Sequence, residues 1–245
     1  MSGLNSLIAA VLLASIYVMG GKLRLGAKAH RRRWLSLAAG VATAYVFVEL
    51  LPEMYEAQEI FTKATAGANL LFPERRVYTS ALIGFVVLYG LQHMVASSRS
   101  QQREESSRRE DVNPIYWLHI GGFCIYSAMV SYLMARESDW GLPSLILYFI
   151  AMSLHFLGTD HSLRREYGAL YDRSGRWVLT GGVMLGWALS IMGSVSEPIL
   201  ATLIGFIGGG VVINSVIAEL PKENEGRFWY FCAGAVGYAC VLLLI

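Results

Sequence analysis

The sequence predicts an all-α polytopic membrane protein with eight transmembrane helices in a single domain over residues 1–245. Three observations predict it. The chain is 55% apolar and only 16% charged, against about 45–50% and about 25% in ordinary soluble domains. Its mean hydropathy is +0.46. The charges it does carry are gathered into short clusters between long, nearly uncharged runs, and a run of about 20 apolar residues is what a helix rising 1.5 Å per residue needs to cross the hydrocarbon core.

Taken in order, the spans fall at about 4–21, 34–52, 78–98, 115–135, 142–162, 177–193, 199–219 and 229–245. With no water inside the bilayer, each must satisfy its own backbone, which a helix does within one segment. Small residues such as Gly181, Gly182 and Gly208 to Gly210 let such helices approach closely. No basic residue precedes the first span and no small-residue cleavage site follows it, which argues against a cleaved leader. Cys124, Cys232 and Cys240 all fall in spans and read as small core residues rather than disulfide partners or metal ligands.

The connections set the orientation. Lys22, Arg24, Lys28 and Arg31 to Arg33 follow span one; Arg99, Arg103, Arg108 and Arg109 follow span three; Arg164, Arg165, Arg173 and Arg176 follow span five; Lys222 and Arg227 follow span seven. Sixteen basic residues thus lie on one side, against four (Lys63, Arg75, Arg76, Arg136) on the other. Cytoplasmic loops carry the excess of Lys and Arg, so both termini are expected outside the cytoplasm. The lipid bilayer is the expected partner, with anionic headgroups near residues 31–33. A net charge of +2 carries no nucleic-acid signal. A second copy of the chain, or other subunits of a membrane complex, are left open as protein partners.

Two segments repeat at fixed spacing. Ala39-Gly40-Val41 leads to Glu49-Leu50-Leu51-Pro52-Glu53, and Gly209-Gly210-Val211 leads to Glu219-Leu220-Pro221-Lys222-Glu223, the Glu standing nine positions after Gly40 and Gly210 respectively. Span two runs inside to outside and span seven the other way. An inverted-topology repeat predicts this, with spans 1–3 matched to spans 6–8 around spans 4 and 5. The plain alternative is that Glu and Pro mark helix ends in any membrane protein.

Ionisable groups at membrane depth are functional candidates by default. Here they are His93, His119, His155 and Asp160, with His161 at the boundary. Tyr126 lies seven residues after His119, about two turns along the same face, and that face is expected to look at His155. Neutral imidazole suits zinc, and carboxylates complete such sites, so His155, Asp160 and His119 are the candidate metal ligands. Asp160 has Arg164 at i+4, which offers it a plain ion pair instead. Helix-to-helix hydrogen bonds are the corresponding alternative for the histidines. Glu49 and Glu219 stand where they guard the two mouths of a pathway or cap the bundle as interfacial carboxylates. No His-Glu-x-x-His or nucleophile-elbow pattern occurs, so no enzyme is expected. A bis-histidine haem would require His119 and His155 to face each other.

The repeated segments resemble the ZIP (zinc and iron permease) metal transporters. The stretch from Ala39-Gly40 to Glu53 resembles that family's second helix, and Gly209-Gly210 to Pro221 its seventh. Ser153-Leu154-His155 through Gly168, Ser174-Gly175-Arg176 to Gly186 is similar to its fifth helix, following loop and sixth helix. The resemblance implies a 3+2+3 arrangement, outward termini and transport of a divalent cation such as zinc, with the site on helices four and five. Where the family has a His-Asn pattern on helix four, this chain has Tyr126-Ser127-Ala128-Met129-Val130, which makes Tyr126 and Ser127 the pathway candidates. Where helix five has His-Glu-x-Pro, it has His155-Phe156-Leu157-Gly158. A protein of the same fold acting as a membrane scaffold or accessory subunit is the alternative that these departures raise.

Overall fold

The computed structural model describes residues 2–21, 28–68, 72–104, 114–137, 142–214 and 227–244. Among them every regular element is helical and no strand occurs. The α-helices are α1 (Ser2–Met19), α2 (Lys28–Tyr45), α3 (Leu51–Ala64), α4 (Arg76–Glu104), α5 (Pro114–Glu137), α6 (Leu142–Tyr167), α7 (Arg176–Met192), α8 (Glu197–Asn214) and α9 (Phe228–Leu243). Pro114, Pro143 and Pro198 sit in the first turns of α5, α6 and α8, where a missing N–H costs nothing. Three helical stretches, Ser36–Ala64, Pro73–Met94 and Pro114–Arg136, are long and apolar enough to cross a membrane, and Gly3–Met19, Glu197–Ile213 and Phe228–Leu243 are shorter apolar helices.

The second element differs from expectation. Span two was expected to end at Pro52, yet α2 and α3 form one continuous rod through a π-helical turn at Val46–Leu50. In that turn Leu51 N–H donates to Val46 O, five residues back instead of four. The wider turn makes room for the Pro52 ring, which would otherwise meet the carbonyl of the preceding turn, and the lost N–H is absorbed there. At its far end the rod is tied to the start of α4 by one carboxamide. Gln58 Oε1 accepts from Val77 N–H at 2.9 Å, and Gln58 Nε2 donates to Pro73 O at 2.8 Å.

Helices pair mainly as α2 with α9, α4 with α8 and α5 with α7, while α1 lies against α6 and α7. Two of these crossings are built alike. Gly40 on α2 faces the carbonyl of Phe231 and the N–H of Ala235 on α9, and Gly234 faces back onto the carbonyl of Leu37. Gly209 on α8 faces the carbonyl of Ala81 and the N–H of Phe85 on α4, and Gly84 faces back onto the carbonyl of Phe206. In both, the facing residues are four apart and the returning glycine reaches the residue three before the first glycine. The crossing α2–α9 therefore corresponds to α8–α4, residue for residue. The register is one residue off the sequence match, with Gly209 rather than Gly210 as the counterpart of Gly40. Gly210 instead leaves room for Tyr126, whose Cε2 would lie 2.7 Å from an added Cβ. On α5 and α7, Gly182 and Gly186 similarly meet the carbonyls of Cys124 and Ala128. Close backbone approach of this kind holds helices together where lipid removes the hydrophobic drive between them.

Candidate functional site

The polar side chains inside the bundle form a seam along α5 and α6, closed on one side by α1. Tyr17, Tyr126, Ser127, His155 and Asp160 are all buried. The Tyr17 ring on α1 stacks on Phe156 with centroids 5.1 Å apart, and its hydroxyl meets Ser127 Oγ on α5, 3.0 Å away. Tyr126 and His155 face each other as the span register implies, Tyr126 Oη lying 3.3 Å from His155 Nε2. Nearer the Arg-rich end, His119 Nδ1 meets Tyr167 Oη at 2.7 Å, and the His119 ring stands edge-on to Phe123. Tyr116 Oη lies 2.8 Å from Ser174 Oγ.

Asp160 makes the ion pair that its spacing offers. Arg164 Nη2 donates to its two oxygens at 2.9 and 3.2 Å, and Tyr171 Oη donates to Oδ1 at 2.8 Å. Arg164 also reaches Asp172. Its guanidinium lies over the Tyr171 ring at 5.2 Å. Tyr171 belongs to a second π-helical turn, Tyr171–Gly175, ahead of α7. Burial, and then the charge of Asp160, push the Tyr171 phenol above its ordinary value, so it remains a donor to the carboxylate throughout the physiological range.

The candidate ligands therefore lie in one seam but in three separate pairings: His155 with Tyr126, Asp160 with Arg164 and Tyr171, and His119 with Tyr167. Among the described residues no three His, Cys, Asp or Glu side chains converge in a group that would hold a metal ion. Glu49 sits in the π-turn between α2 and α3 and is exposed; Glu219 lies outside the described residues. His93 is exposed and stacks on Tyr89 at 6.0 Å. Cys124, Cys232 and Cys240 are free thiols.

Several contributors escape sequence reasoning. Tyr17 lies within the first span and Tyr167 and Tyr171 in the connection after the fifth, with nothing in the sequence to single them out, yet each hydroxyl completes a pair in the seam. Gly20 and Gly21 read only as the end of a span, yet a Cβ on either would strike Asp160 or Arg164. A signal exists for Tyr17: it lies one turn before the Gly20-Gly21 pair, on the helix face that must approach Asp160.

As chemistry, the seam is a set of hydroxyls and imidazoles around one carboxylate already neutralised by a guanidinium. A divalent ion leaving water requires about four to six oxygen, nitrogen or sulfur donors, several of them anionic. His155, Tyr126, Tyr17 and Ser127 supply neutral donors, and Asp160 supplies anionic charge only when Arg164 moves aside. No family model, curated protein or solved structure matches this chain at a significant level.

Proposed function

We propose that the chain is an integral membrane protein crossing the bilayer eight times, with a ZIP-like 3+2+3 inverted repeat, and that its role derives from transport of a divalent cation such as zinc along the seam between α5 and α6. The duplicated glycine crossing carries the architectural part. Matching α2 to α8 and α9 to α4 is what pairing the second span with the seventh and the third with the eighth requires. The alternation of basic loops gives the same arrangement from an unrelated property. A buried polar seam in an apolar bundle is costly, which is why such groups mark solute paths. Transport would proceed by rocking the two three-helix repeats about the central pair, separating Tyr17 on α1 from Ser127 on α5 and opening the seam beside Tyr126 and His155 as the ion passes.

A second reading is favoured by one specific observation. The guanidinium of Arg164 occupies both oxygens of Asp160, so a fixed cation stands where a metal would draw its negative charge. On this reading the chain is a non-transporting member of the same fold, a scaffold or accessory subunit of a larger membrane complex. Metal analysis of the purified protein, with uptake into proteoliposomes, tests the two. Stoichiometric zinc and uptake that fall together in His155→Ala support transport. Metal at background and no uptake, with a partner retained on gentle solubilisation, support the scaffold.

A further inference from the structure

Helix α6 ends at Tyr167, and Gly168 turns the chain with a φ of +52°, a conformation that favours glycine. The joint is tight. Gly168 N–H donates to Arg164 O at 2.9 Å, and Asp172 N–H donates to Gly168 O at 3.2 Å. Arg164 stands just before this joint and Asp172 just after it, and the guanidinium binds across it. A third element rests on the same group. Helix α1 ends at Met19 and turns at Gly20 and Gly21, where an added Cβ would overlap the Asp160 carboxylate or come within 2.6 Å of Arg164 Nη1. The end of α1 is thus seated directly on the ion pair, one turn beyond Tyr17 and its bond to Ser127.

We propose that Arg164 is a clasp that closes the Arg-rich end of the bundle, joining α1, α6 and the lead-in to α7, and that its release opens the seam at Ser127 to that side. This deepens the eight-span reading and rests on it. In that reading α1 belongs to the first three-helix repeat, α6 to the central pair and α7 to the second repeat, so one guanidinium holds all three blocks. The two arms of the clasp differ. The Asp160 side chain is 2% exposed and the Asp172 side chain 47% exposed. Asp172 Oδ1, which meets Arg164, is itself covered, but water reaches the rest of that carboxylate and stabilises it when released, so that arm yields first. Once it yields, the Gly168 joint is free to bend, and the glycine end of α1 loses its seat.

The test uses the full-length protein in liposomes, with Cys124, Cys232 and Cys240 replaced and Ser127→Cys introduced. A membrane-impermeant thiol reagent is applied from each side. With Arg164 and Asp172 intact, labelling is slow from both sides, since position 127 is fully buried. In Arg164→Gln and, separately, Asp172→Asn, labelling from the Arg-rich side rises about tenfold, the shift expected for losing a charge-assisted hydrogen bond. Labelling from the other side does not change. Arg164→Lys, which keeps the charge without the fork, falls between. Asp172→Asn removes only the half-exposed arm and keeps the test valid where Arg164→Gln fails to fold. Unchanged labelling in both variants, or an equal rise from both sides, overturns the clasp. Reporter cysteines at Thr65 and Arg165 separate the two failures: both on one side sinks the eight-span reading and the clasp with it, while opposite sides with an unmoved position 127 sinks the clasp alone.

Discussion

Replacing Gly209 by alanine places a methyl group against the Ala81 carbonyl and 2.9 Å from Phe85 N; the same change at Gly40 meets the Phe231 carbonyl and lies 2.7 Å from Ala235 N. These neighbours are helix backbone, which cannot step aside as a side-chain tip can, so each pair of helices must separate. Overpacking of this kind costs about 1–3 kcal/mol. Against it stands the better helix propensity of alanine over glycine, about 0.8–1 kcal/mol per residue. Gly90, Gly181 and Gly237 lie in helices with open space around the added Cβ, so at those positions only the propensity gain remains. The expectation is that Gly40→Ala and Gly209→Ala are each destabilising and agree within about 1 kcal/mol, because the two crossings share one geometry. Gly90→Ala, Gly181→Ala and Gly237→Ala are neutral or stabilising. Thermal unfolding of the detergent-solubilised protein reads this as a Tm loss of about 2–4 °C per kcal/mol, the size dependence of domains of this length. Gly40→Ala behaving like Gly90→Ala, or Gly209→Ala tolerated where Gly40→Ala is not, would refute the duplicated crossing.

Three further outcomes follow from the seam and the rod. Asp160→Ala leaves Arg164 with Asp172 alone in a mostly buried position and lowers unfolding stability by about 3 kcal/mol, the low end for breaking a buried pair; Asp160→Asn, which still accepts from Tyr171, costs less in the same denaturation assay. Tyr126→Phe removes the hydroxyl facing His155 and costs about 1 kcal/mol, without changing the far-ultraviolet spectrum. Gln58→Ala deprives Val77 N–H and Pro73 O of their partner and costs about 1–3 kcal/mol; hydrogen exchange reads it as lost protection at the first turn of α4.

Much of this fold is legible in the sequence because its signals are local. Apolar runs bounded by charge give the helices, and i+4 spacing gives the Asp160–Arg164 pair. The seven-position step from His119 to Tyr126, with the expected register of His155 in the fifth span, places Tyr126 against His155. What is not legible depends on how elements meet. Pro52 reads as a stop, and only the π-turn at Val46–Leu50 lets the helix run on to Ala64. The sequence aligns Gly40 with Gly210, but in the close crossings the counterpart of Gly40 is Gly209, because contact with the Ala81 carbonyl rather than sequence order sets the register. Tyr167 and Tyr171 carry no local mark, and Tyr17 only its place one turn before Gly20 and Gly21, since a hydroxyl finds its partner only once the helices are packed.

Every assignment of depth and direction rests on alternate connections emerging on opposite sides of a bilayer. Single cysteines at Thr65 and Ser194, and at Arg165 and Arg227, in a cysteine-free background in oriented vesicles, measure this directly with an impermeant thiol reagent. The expected result is that Thr65 and Ser194 label from one side and Arg165 and Arg227 from the other. Labelling of Thr65 and Arg165 from the same side contradicts the account.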